Sequence, residues 1–331
     1  FQGMVLAVDA STPAGTWRVV GNTLTAIGHF PGCWGDQGGG IYYGQPRAIQ
    51  FNNSDPAGRT AEIRDNVIDD SGSAGLVGTV GIYTRLANTA SIVDHNTMTM
   101  TSGASFAVEN GAQSVGMLLG WSYANGFTAT NNTVNSSGYG IGVMVADAGV
   151  LAQPLVLEGN TITSTGSLRS GRGDGAGVYI ANEYLFAPTD KSDSYVIIRN
   201  GNVISGFVKG VEVERLDSST STVVAQVNGN SLAGNTAGIE ASTLTATMDG
   251  GANWWGTAAP SEVDALASAN VDYTPWLANG DGSGDPGFQA DYSTLWVDDG
   301  SPQTGTTGRI QEGINLVSGS TVYVAPGSYA E

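Results

Sequence analysis

Basic residues are scarce in this chain. It carries 12 Lys and Arg against 30 Asp and Glu, a formal net charge of −18 over 331 residues. That balance argues against nucleic acid and anionic membrane surfaces as partners, because both are held by neutralising phosphates with Lys and Arg. It also disfavours polyanionic polysaccharides unless Ca²⁺ bridges the charges. Cysteine is missing except for Cys33, so there is no internal disulfide framework and neither redox compartment is excluded. No apolar run reaches the roughly 18 residues of a membrane span, so none is expected. His29 and His95 have no second ligand beside them in sequence and read as turn residues.

Glycine is what the chain has in quantity, 49 residues of 331, and it recurs in a phrase. Leu155-Val156-Leu157-Glu158-Gly159-Asn160-Thr161-Ile162 alternates apolar residues around a Gly-Asn pair. Gly177-Val178-Tyr179-Ile180 then opens a second short strand. Period-2 alternation bounded by Gly and Asn is strand chemistry. The phrase recurs around Asn22, Asn66, Asn96, Asn132, Asn160, Asn202 and Asn230, at intervals of 44, 30, 36, 28, 42 and 28 residues. Second strands follow Gly40, Gly81, Gly116, Gly142, Gly177, Gly210 and Gly238, the first being Gly40-Ile41-Tyr42.

One phrase repeated seven times with a drifting period predicts seven coils of a solenoid whose loops carry insertions. The expected fold is all-β, a right-handed parallel β-helix with coils stacked at ~4.8 Å. The recurring Asn is expected to face inward and bond its counterparts one coil away as an amide ladder. The recurring Gly is expected at a corner needing positive φ. Insertions at 28–59, 163–176 and 183–194 are expected along one flank.

Met4-Val5-Leu6-Ala7-Val8 is already an alternating strand, preceded by Phe1-Gln2-Gly3, which reads as the remnant of a cleaved tag. The regular phrase ends at Asn253-Trp254-Trp255-Gly256, with Pro260 shortly after. This motif resembles the closing motif of right-handed β-helix repeat proteins of bacterial surfaces and secretions, which are similar in fold to pectate lyases. The resemblance spans residues 4–277 and implies an extracellular or cell-surface setting. Two adjacent Trp suit a cap over the open end of the coil stack, and a sugar-binding pair is the rival reading.

Residues 278–308 read as an acidic, Gly-rich linker. Within it Asn279, Asp281, Ser283 and Asp285 have the alternate spacing of a calcium loop's first ligands, although Ala290 stands where the twelfth-position Glu belongs. Ca²⁺ is the one cofactor suggested anywhere in the sequence. In residues 309–331, Ile310, Ile314 and Val317 mark a short amphipathic helix, followed by a strand ending in Pro326-Gly327. This segment resembles the cap helix and first strand of a further β-helix. Residues 310–331 are therefore expected to dock on an N-terminal coil, most readily that of another copy, head to tail.

Aligning the second strands on their Gly ranks Tyr42, Tyr83, Leu118, Gly142 or its neighbour, Tyr179, Glu212 and Glu240 in one outward column. Arg85, Trp121, Tyr123 and Tyr184 lie just beyond. Ranked aromatic rings suit the C–H faces of sugars, with Arg and carboxylates meeting hydroxyls. Tyr is equally at home as a strand residue covering apolar sheet. Catalysis by paired carboxylates has three candidates, Asp147, Asp174 and Glu183, in loops expected to be neighbours. The paired-Asp and Gly-His-Gly signatures of polygalacturonases are absent. Thr-x-Thr recurs at Thr23/Thr25, Thr97/Thr99, Thr128/Thr130, Thr161/Thr163 and Thr243/Thr245, as on an ice-binding solenoid, but uneven coil lengths are expected to spoil a flat lattice.

The expected function is a non-catalytic β-helix module of a large secreted or surface protein: a stalk or adhesin, or a polysaccharide-binding surface. A polysaccharide lyase or glycoside hydrolase is the alternative.

Overall fold

In a computed structural model of the chain, residues 4–8, 14–25, 47–53, 59–70, 80–85, 90–101, 114–122, 126–137, 140–165, 175–184, 187–191, 193–215, 221–280, 287–319 and 321–329 are described. The alternating stretches become three parallel sheets, in which successive coils stack strand on strand. The first sheet stacks eight strands in chain order: Met4–Val8, Arg47–Asn53, Val80–Arg85, Val115–Ser122, Ile141–Ala148, Ala176–Ala181, Lys209–Glu214 and Ala237–Glu240. The second has nine, Gly15–Val20, Arg59–Arg64, Ile92–Asp94, Thr128–Thr130, Leu155–Glu158, Ser194–Arg199, Val223–Asn228, Met248–Asp249 and Val271–Asp272. The third has six, Thr23–Thr25, Val67–Asp69, Thr97–Thr101, Thr133–Ser137, Thr161–Ser164 and Val203–Ser205. The architecture is a parallel β-helix.

Alternation decides which side chains go inside. In Arg59–Arg64 every second residue is buried, and along the third sheet Ile68, Met98, Val134, Ile162 and Ile204 form one fully buried column. One coil exposes both rims of such a column to water, so burial is completed only by stacking, at about 25 cal/mol per Å² of apolar surface covered.

The asparagines form the ladder expected of them. Each donates its backbone N–H at 2.9–3.2 Å and its side-chain amide at 2.8–3.1 Å to the Oδ1 of the Asn one coil on. The ladder has eight rungs rather than seven, because Asn253 of the Trp-Trp motif is the last. The residue before every rung has positive φ: Gly21, Asp65, His95, Asn131, Gly159, Gly201, Gly229 and Ala252, from 52° to 89°. His95 is thus the turn residue its sequence setting suggested.

The glycines of the first sheet do a different job from the one expected. Gly81, Gly116, Gly142, Gly177, Gly210 and Gly238 are absent from the positive-φ residues and lie in or beside strands. A Cβ on Gly177 would press into the Ile204 side chain and lie 2.7 Å from the Gly210 carbonyl oxygen, and one on Gly81 would lie 2.6 Å from that of Gly116. Lack of room selects Gly here. The strand expected at Gly40-Ile41-Tyr42 lies outside the described residues, and Arg47–Asn53 fills the place beside Val80–Arg85. Ile49 pairs with Ile82 there, which puts buried Ala48 in the glycine column.

The coil stack closes through the Trp-Trp motif. Trp255 is buried against Gly238, whose Cβ would lie 2.5 Å from the indole, and α1 (Pro260–Leu266) packs behind it with Val263 fully buried. Aromatic contacts continue outward: Trp255 to Tyr273 (6.4 Å between centroids), Tyr273 to Trp276 (5.8 Å), Trp276 stacked on Trp296 (6.2 Å) and Trp296 to Tyr323 (5.0 Å).

The last three members belong to a small sheet of Trp276–Leu277, Thr294–Val297 and Thr321–Val324, on which α2 (Arg309–Leu316) packs. Two expectations change as a result. Residues 278–308 are not linker throughout, because Thr294-Leu295-Trp296-Val297 alternates, pairs with Trp276–Leu277 and buries Leu295 and Val297. Helix and last strand form as read, but they dock through this sheet on the C-terminal end of their own solenoid, away from the N-terminal coil.

Candidate functional site

The outward column of the first sheet has the register inferred from its glycines. Gln50, Tyr83, Leu118, Met144, Tyr179, Glu212 and Glu240 pair in succession; Gln50 stands where Tyr42 was expected, and Met144, two residues past Gly142, stands where Gly142 or its neighbour was expected. From Gln50 to Glu212 the column is inside the molecule, and only Glu240 at its end is partly exposed. Tyr83 is 3 % exposed and Tyr179 0 %, and with Val80, Val115, Leu118, Ile141 and Met144 they form a second apolar cluster behind the sheet. Neither ring offers a free face to a sugar. The Tyr179 hydroxyl donates to Glu214 Oε2 at 2.7 Å, and Glu212, 1 % exposed, pairs with Lys209. A carboxylate so buried needs such a partner, since desolvation alone would cost several kcal/mol.

At the C-terminal ends of these strands several candidates converge. Register places Trp121, between Gly120 and Ser122, beside Asp147, which lies between Ala146 and Ala148. The pairing of Ala146 with Ala181 brings Asn182 alongside. Glu183 and Tyr184 follow at once as one arm of a hairpin with Ala187–Lys191, packed against the Asp147 strand. So Trp121, Asp147, Glu183 and Tyr184 share one corner. Asp147 is fully buried, at φ 54°. Arg85 ends its strand opposite Asn52. Tyr42, Tyr123 and Asp174 lie outside the described residues.

Sequence reading missed three polar partners at this corner. The Asn182 amide donates to Ser221 Oγ at 2.8 Å, and Arg215 Nε donates to the Ser221 carbonyl at 3.2 Å. They come from different coils at unequal spacing, so no linear signal announces them.

The remaining faces differ sharply in charge. On the second sheet Arg64 and, next, Arg18 clasp Glu62, holding its carboxyl below the usual range. Asp94 is pushed up by partial burial, but the Thr130 hydroxyl (2.6 Å), His95 and the Asn131 amide outweigh this and leave it lowered. Glu158 meets Arg199 on the same face. The third sheet instead shows mostly threonines.

At the seam with the C-terminal unit Asp249 and Asp272 stand on adjacent strands. Burial first, and Asp249 in part, push the Asp272 carboxyl up, although it accepts from Thr304 N at 2.6 Å and Thr304 Oγ1 at 2.9 Å. Among the described residues no group of three or more His, Cys, Asp or Glu is arranged to hold a metal ion. Of the calcium-loop residues, Asp281, Ser283 and Asp285 lie outside the described residues, and the Asn279 amide nitrogen points to Asp291 Oδ2 at 3.4 Å. No described helix is long and apolar enough to cross a membrane. No family model, no curated protein and no solved structure matches this chain.

Proposed function

We propose that this chain is a non-catalytic structural module, a stiff β-helical spacer of a secreted or cell-surface protein. The observation that carries this reading is the eight-rung Asn ladder running alongside three parallel sheets of eight, nine and six strands, joined by the aromatic chain to the C-terminal unit. Each coil is bonded to the next through both backbone and side chains, so bending the stack strains many bonds together. A polysaccharide-binding surface on the first sheet has less support, because Tyr83 and Tyr179 are buried.

The test is incubation with a panel of neutral and acidic polysaccharides, following new reducing ends and the ultraviolet absorbance of unsaturated products. The spacer reading expects no release above blank from the intact chain. Release that is lost in an Asp147→Asn, Glu183→Gln double variant of unchanged melting temperature would establish the lyase or hydrolase alternative.

A further inference from the structure

The insertions that make coil lengths uneven leave the third sheet untouched. Thr23, Val67, Thr97, Thr133 and Thr161 pair in unbroken succession, and two residues on a second column runs parallel to it through Thr25, Thr99 and Thr163. Asp69 and Asn135 fill the other two places. Three of the five Thr-x-Thr pairs in the sequence therefore fall on one face, with their middle residues Leu24, Met98 and Ile162 turned to the core. The objection from coil length is removed, because register is kept where the threonines are.

We propose that this face binds ice. The spacing is set by the fold: ~4.8 Å from coil to coil and ~6.6 Å between alternate residues of a strand, a two-dimensional grid of hydroxyls and methyls. Thr and Val are stiff at χ1, so the grid exists before binding and little rotamer freedom is lost on it. Ladder and core hold the backbone beneath. The charge pattern selects the partner: on a chain of net charge −18, Asp69 is the one formal charge among these ten positions. The second sheet carries the Arg18–Glu62 and Glu158–Arg199 pairs, and the first sheet's outer column is buried from Gln50 to Glu212. A protein partner would draw on aromatic or Arg anchors, and a sugar on aromatic rings; this strip has neither. A rigid, uncharged lattice of water is what a rigid, nearly uncharged grid of hydroxyls and methyls can match; the Thr163 hydroxyl donates to Asn135 Oδ1 at 2.8 Å, and the other threonine hydroxyls replace lattice contacts.

The test uses the full chain in nanolitre osmometry with microscopy of a growing ice crystal, beside Thr97→Lys and Thr133→Lys variants and Gln226→Lys on the second sheet as control. The expected result is a freezing–melting gap with faceted crystals for the intact chain and the control, lost in both threonine variants at unchanged melting temperature. A round crystal with no gap from the intact chain overturns the proposal, whatever the variants do. So does binding to crystalline cellulose without any effect on ice. Should a Lys variant fail to fold, Thr133→Ser, which removes only the methyl, must narrow the gap. Spacer function survives either outcome, so the two readings fail separately.

Discussion

Within the ladder Asn160 accepts from Asn132 through backbone N (3.0 Å) and Nδ2 (3.0 Å), and donates to Asn202 Oδ1 (2.9 Å) and Ala129 O (3.0 Å). All of these groups are buried, so Asn160→Leu strands donors above and acceptors below. The expected cost is on the order of 1–3 kcal/mol for each group left unsatisfied, read as a lower denaturant midpoint; an unchanged midpoint would deny the ladder any weight. At Ala252, φ is 56° where other coils place Gly, Asn, Asp or His. Left-handed backbone costs a Cβ about 1–2 kcal/mol, while Gly adds back roughly 0.4–1 kcal/mol of unfolded-state entropy. Ala252→Gly is therefore expected to stabilise slightly, by about 0.8 kcal/mol as the difference of the midpoints of those ranges, and a loss of stability would mean that corner is not strained. The rungs were readable in the sequence because one phrase repeats. Asn253 was hidden by an interval of 23 residues and by the tryptophans after it. The strand glycines show the limit: a Gly reports that a side chain is unwelcome without saying whether dihedral or space forbids it.

At the scale of elements, the C-terminal unit is joined to the solenoid by apolar stacking and by an acidic seam. Glu312 on α2 is pushed up to about 7, first by burial and then by Asp272 and Asp249, with Gln303 and Arg309 pulling the other way. Its ordinary value is 4.5. The docked unit holds the proton more tightly than the undocked chain, so the group's contribution is whole below pH about 4.5 and is lost as pH rises through about 7. Tryptophan fluorescence of the Trp276–Trp296 stack should thus show a looser seam above neutrality, and Glu312→Gln should flatten the profile. An identical profile in that variant would assign the effect elsewhere. Helix α2 and its strand were legible from apolar spacing and the Pro-Gly stop. Thr294–Val297 was not, because four alternating residues inside a Gly- and Asp-rich stretch are too few to outweigh the composition around them.

For the whole molecule, eight coils at ~4.8 Å make a stack on the order of 40 Å tall. Strand Met4–Val8 is the edge of the first sheet at one end, and Thr321–Val324 is the edge of the small sheet at the other, with Tyr323 49 % and Val324 42 % exposed. Head-to-tail assembly, expected from the sequence for residues 310–331, would use these edges and predicts concentration-dependent light scattering that Tyr323→Ser with Val324→Ser abolishes. A monomer at every concentration ends that idea. Repeat and fold class were legible because stacking forces the same alternation on every coil. What covers the aromatic column was not, since burial from outside the sheet leaves no trace in a strand's own pattern.

An unbroken coil-to-coil register holds the stack together, and short-range cross-linking measures it. With Cys33→Ser as background, cysteines replace pairs from Thr97, Thr133 and Thr161, and a short dithiol-bridging reagent is added. Adjacent-coil pairs, Thr97 with Thr133 and Thr133 with Thr161, should bridge rapidly, their Cα atoms lying one strand spacing apart at ~4.8 Å. Thr97 with Thr161, two coils apart at ~9.6 Å, should not. Bridging of the two-coil pair as fast as the adjacent pairs, or of none, would contradict the stacked register from which every other statement follows.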